Sequence, residues 1–183
     1  YTNTNFPSNL NTTLGLSYDS FSSSIDGTRT DKINPKFGLQ WDIFDSLRLR
    51  FAWFKTTKSH LMAQQSLEPT QVAGFNQFFD DTNGTRARRM GIGLDSQVSN
   101  NLYSGIEASA RNLDVPFADF DTGTEEVLQA QKEQLIRAYL YWSPHLHWVI
   151  SAELKFENFT RDNSDRTIPN PSPTHIQTLS APL

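Results

Sequence analysis

The chain contains no cysteine, which excludes disulfides, thiolate nucleophiles and thiolate metal sites. It also lacks any apolar run of about 18 residues, the length that reads as a membrane-crossing helix. A tilted membrane strand needs only about 9–11 residues, so helical passage alone is excluded. Basic charge is not in surplus: 16 Lys and Arg stand against 20 Asp and Glu, a formal net charge of −4. Nucleic acid is therefore not among the expected partners. The opening YTNTNFPSNLNTT has neither a basic nor an apolar leader segment. No polar linker divides the 183 residues, which suits one domain. A nucleophile elbow, a zincin motif and a phosphate-binding loop are all missing. The expectation is a protein that is not an enzyme and that needs no cofactor.

What the sequence does contain is alternation. In SLRLRFAWF, Leu47, Leu49, Phe51 and Trp53 occupy one parity, while Arg48, Arg50, Ala52 and Phe54 occupy the other. A helical period would scatter these residues; a period of two makes a strand with one apolar face. The preceding KFGLQWDIF behaves alike, with Phe37, Leu39, Trp41 and Ile43 set against Lys36, Gly38, Gln40 and Asp42. Similar segments start at Asn9, Arg88, Leu102, Gln134, Leu146 and Thr174. Leu135, Val149 and Phe159 break the pattern by placing apolar groups off the apolar parity.

About 7–8 strands follow from this pattern. Tight turns are expected near Asp45, Asn100 and Pro144, and long polar connections over 21–34, 59–85, 114–131 and 161–173. Short turns alternating with long loops are the grammar of an outer-membrane barrel. The fold class read here is all-β, an antiparallel transmembrane β-barrel or barrel fragment. Gly and small residues on the polar parity fit a crowded lumen, and aromatics near strand ends fit membrane interfaces. A β-sheet domain outside the membrane, wet on one face, alternates in the same way and is the competing class.

The hairpin NPKFGLQWDIFDSLRLRFAWFKTTKS resembles the recurrent hairpin of TonB-dependent outer-membrane receptors. SLEPTQVAGFNQFFDD followed by RRMGIGLD resembles their loop leading into a Gly-rich strand. The resemblance covers mainly residues 34–113. It implies a barrel in the bacterial outer membrane that captures a small polar ligand through external loops and passes it inward. Outer-membrane lipid, lipopolysaccharide and a periplasmic coupling or secretion partner would accompany such a barrel. No coupling box or plug is recognisable, so residues 1–183 are expected to be part of a longer chain. The alternatives are a structural or secretion-channel barrel, and a soluble β-sheet binding domain.

Two groups of site residues follow. Gly74, Asn76, Gln77, Phe78, Phe79, Asp80 and Asp81 combine aromatic surface with amides and carboxylates in the longest loop. They suit a polar ligand, or Phe78 and Phe79 pack the loop onto the barrel rim. Arg48, Arg50, Glu107, Arg111, Arg137, Glu153 and Lys155 share the polar parity and are expected to face a lumen, as a solute path or an ion-pair network. Arg86, Arg88 and Arg89 form a positive patch that suits lipopolysaccharide phosphate or another anion; a solvated strand end explains it equally. His145 and His147 have no third ligand nearby, and no metal site is expected.

Overall fold

A computed structural model describes residues 1–22, 29–58, 71–76, 81–118, 126–161 and 174–181. Among these the chain is all-β, with eleven strands in two antiparallel sheets. In chain order they are β1 (Thr2–Phe6), β2 (Leu10–Ser22), β3 (Arg29–Phe44), β4 (Leu47–Thr57), β5 (Gln71–Val72), β6 (Phe75–Asn76), β7 (Arg86–Ser99), β8 (Leu102–Ala118), β9 (Glu126–His145), β10 (Trp148–Arg161) and β11 (Thr174–Ser180). Nine of them form one meander in the order β1-β2-β3-β4-β7-β8-β9-β10-β11. The hairpin β5-β6 is a separate small sheet.

The sheet is open. Its outer strands are β1 and β11, each hydrogen-bonded to one neighbour and not to the other. This corrects the expectation of a closed transmembrane barrel, and with it the likeness to a TonB-dependent receptor. A lumen exists only where the first and last strands pair, and hydrocarbon does not tolerate two unpaired backbone edges. Passage of a solute through a barrel, a secretion channel, an outer-membrane location, lipid and lipopolysaccharide as partners and a periplasmic coupling partner all rested on closure. They fall with it. Alternation reports which residues share a face; it does not report whether the sheet closes or what meets each face.

The strands are also longer than expected. Polar stretches assigned to loops continue the ladder: Arg29–Asn34 pairs with Ser17–Ser22, and Asp114–Ala118 pairs with Glu126–Ala130. Backbone hydrogen bonding extends a sheet past the end of its apolar pattern. Two-residue turns at Asp45–Ser46 and Asn100–Asn101 fall where the sequence places them. The last tight turn lies at Leu146–His147, two residues beyond the expected Pro144. Val149, one of the parity exceptions, lies where the β9–β10 register shifts between Trp148 and Ile150.

The core is a hairpin seated on the polar face. Ala73 and Gly74 both have positive φ, 49° and 84°, as a two-residue hairpin turn of the favoured mirror-image type requires. Val72, Ala73 and Phe75 pack with Ala52 and Phe54 of β4. Register explains why they fit. Gly38, Ala52 and Gly91 are direct neighbours across β3, β4 and β7, a row of almost no side chains. A methyl on Gly91 would stand 2.5 Å from Phe75 Cε1, and one on Gly38 would stand 2.9 Å from Val72 Cγ1. Gly38 and Gly91 on the polar parity therefore make room for the chain's own hairpin, while Gly93 and Gly105 make room for Arg50 and Tyr139, rather than for a crowded lumen. On the opposite face, Leu16, Ile33, Ile92, Ile106 and Leu154 are exposed.

Candidate functional site

All seven residues expected to line a lumen lie on the polar face of the open sheet, where opposite charges meet across strands. Arg50 Nε donates to Asp95 Oδ2 at 2.5 Å, and Arg50 Nη2 lies 3.3 Å from Glu107 Oε2. Glu107, 7 % exposed, reaches on to Arg137, whose Nε is 3.1 Å from Oε1. That Nε has no aligned hydrogen-bond partner, so the contact is an ion pair rather than a directed bond. Arg137 continues to Glu153 at 3.7 Å, and Glu153 to Lys155 at 3.6 Å. Arg48 stands apart, pairing with Asp42 at 2.5 Å in a more exposed position.

The electrostatics follow from this geometry. Burial is the largest single effect and opposes the charge on Arg50. The Asp95 hydrogen bond together with the negative charges around it outweighs burial and holds the guanidinium above its ordinary value. Tyr139 donates its hydroxyl proton to Asp95. Burial, together with that neighbouring carboxylate, pushes the phenol up to about 12. Arg137 lies over the Tyr139 ring at 5.2 Å, and Arg50 over the Phe75 ring at 5.1 Å. Every charge in this ladder has a partner, so it is a fixed structural network.

A second region of the same face is built differently. Arg89, Arg111, Glu133, Phe159 and Ile176 are successive register partners across β7 to β11. The adjacent row is Ser109, Leu135, Glu157 and Thr178. These two rows line a cavity of about 340 Å³ beside the docked hairpin. Two parity exceptions, Leu135 and Phe159, are therefore here together with Ile176, as an apolar patch on a polar face.

The hairpin end and the following segment brace the cations. Arg89 Nη1 donates to the Asn76 carbonyl at 2.9 Å, and its Nη2 donates to Ser109 Oγ at 3.1 Å. Arg111 pairs with Asp81 and, at 3.0 Å, with Glu133. Arg89 is 6 % exposed; burial, then repulsion from Arg111, lowers its pKa. The structure thus joins the two groups of candidate residues, since Asn76 and Asp81 of the loop hold Arg89 and Arg111. Gly74 forms the hairpin turn against Arg50. Gln77, Phe78, Phe79 and Asp80 lie outside the described residues.

Comparison with protein-family models, with curated proteins and with solved structures finds no match. The geometry alone therefore carries the functional reading. Among the described residues no three His, Asp or Glu side chains converge as a metal site, and the rings of His145 and His147 simply pack 5.4 Å apart at the β9–β10 turn. The sequence reading missed Glu133, Leu135, Glu157, Phe159 and Ile176 as site residues, and grouped Arg89 with Arg86 and Arg88 in one positive patch. Leu135 and Phe159 did carry a signal, because both break the alternation on the same side.

Proposed function

We propose that this chain is a non-catalytic β-sheet binding domain that takes a small zwitterion with an apolar side group in the cavity over β7 to β11. One observation carries the reading: an apolar patch of Leu135, Phe159 and Ile176 sits beside two directly opposed guanidiniums on an otherwise polar face. The volume of about 340 Å³ falls at the small end of ligand sites. A ligand carboxylate would share the Arg89–Arg111 end with Asp81 and Glu133, and Ser109 adds a hydroxyl donor there. Glu157 offers a carboxylate to an ammonium group on the neighbouring row. The apolar side group would cover Leu135 and Phe159, which gain from losing contact with water. Rigid strands on a hydrogen-bonded ladder hold both ends of the site in register before a ligand arrives, which lowers the cost of ordering.

Isothermal titration against free amino acids with apolar side chains tests this. The expected result is binding that weakens about tenfold in Glu157→Gln and again in Leu135→Asn, since a charge-assisted contact contributes about 1.5–3 kcal/mol. Glu157 is exposed, so its replacement leaves the fold intact. Binding unchanged in both variants, or absent throughout, would overturn the reading.

A further inference from the structure

The three neighbouring arginines of RARR do not form one patch. Arg89 turns to the polar face, whereas Arg86 and Arg88 join Lys55 and Lys32 around a separate cavity of about 290 Å³ at one end of β3, β4 and β7. Lys55 and Arg88 are direct register partners, so two cations stand opposite each other across adjacent strands. Like charges in that position destabilise a sheet. Two other directly opposed pairs are compensated, Arg89 and Arg111 by Asp81 and Glu133, and Arg137 and Lys155 by Glu107 and Glu153. No such compensation exists here: among the described residues no carboxylate lies in an ion pair with Lys32, Lys55, Arg86 or Arg88.

The surroundings favour an oxyanion. Asp114 is the one acidic group in the lining, opposite Arg86 in register. Asp19 stands directly opposite Lys32 across β2–β3 and accepts a hydrogen bond from Asn34. Arg86 Nε is buried with no hydrogen-bond partner, and Asn112 stands beside Arg88 across the β7–β8 pair. With Lys32 opposite Asp19 and Arg86 opposite Asp114, Lys55 and Arg88 leave a local surplus of positive charge in a chain whose net charge is −4.

We infer that this strand-end cavity binds a phosphate group, free or as a small phosphate monoester, between Lys55, Arg88 and Arg86. Guanidinium forks match tetrahedral oxyanions through paired donors, and the Lys55 ammonium adds point charge. Bound phosphate would remove the repulsion between Lys55 and Arg88, so occupancy and stability rise together.

The test is a titration of the full chain with inorganic phosphate at constant ionic strength, read by thermal unfolding and by amide chemical shifts. The expected result is a rise in Tm with millimolar phosphate that chloride does not reproduce, with shifts at Lys55, Arg86 and Arg88. Lys55→Gln/Arg88→Gln, both at exposed positions, should weaken phosphate binding at least about tenfold. It should also raise the phosphate-free Tm by removing the opposed charges. Glucose 6-phosphate should compete with inorganic phosphate for the same site. An equal response to chloride, undiminished binding in the double variant, or lack of competition would each overturn the inference. The zwitterion cavity is tested by different ligands and residues, so neither result decides the other.

Discussion

Gly91→Ala offers the sharpest test of how the hairpin is held. The added methyl would lie 2.5 Å from Phe75 Cε1, 2.6 Å from Cδ1 and 2.9 Å from Cζ. Phe75 is 1 % exposed, so its ring cannot swing into solvent without undocking β5 and β6. Overpacking of this kind costs about 1–3 kcal/mol. Alanine would otherwise be neutral or slightly favourable in a strand, where glycine is the weaker former. Phe75→Ala alone removes a fully buried ring and should cost about 3–5 kcal/mol. Once the ring is gone, the methyl has space. Gly91→Ala should therefore cost about 1–3 kcal/mol in the parent chain and close to nothing in the Phe75→Ala background. Urea unfolding of the four chains gives this coupling, and amide exchange at Val72 and Phe75 reports whether the hairpin lifts away. An equal penalty for Gly91→Ala in both backgrounds would refute the idea that a glycine row accommodates the hairpin.

Three further outcomes are expected. Arg50→Ala removes one partner from buried Glu107 and one from half-buried Asp95 and should cost about 3 kcal/mol, the low end for breaking a buried pair, while Arg48→Ala, at an exposed pair, should cost under about 1 kcal/mol; denaturant midpoints compare them directly. Tyr139 holds its proton up to about 12 against an ordinary 10.0. Its contribution is thus complete below pH 10 and is lost as pH rises toward 12; phenolate absorbance should show a late step that Tyr139→Phe deletes. Asp42 is held below its ordinary 3.8, first by the Arg48 hydrogen bond. Its stabilisation is present above that value and is lost as pH falls through the lowered pKa, so an NMR titration should move upward in Arg48→Ala.

The sequence located strands better than it bounded them. Period-two parity at Leu47–Phe54 and Leu102–Arg111 corresponds to β4 and β8, and it identified which side chains share a face. Boundaries failed at Arg29–Asn34 and Asp114–Ala118, because a ladder is extended by backbone pairing with a neighbour that hydropathy does not encode. The strand β1 was missed for the same reason: TNTNF is polar, and its strand state depends on β2.

The sequence by itself determined an all-antiparallel protein with no thiol chemistry, one apolar and one polar strand face, and charges placed to meet across strands. These are local properties, fixed by side-chain alternation and composition. Only the tertiary structure decided that the sheet is open, because closure depends on whether β1 meets β11. It alone seated Val72 and Phe75 on the row of Gly38, Ala52 and Gly91, and braced Arg89 against the Asn76 carbonyl. Register between strands far apart in sequence assembled both cavities, and a one-residue slip would turn every one of those side chains to the other face.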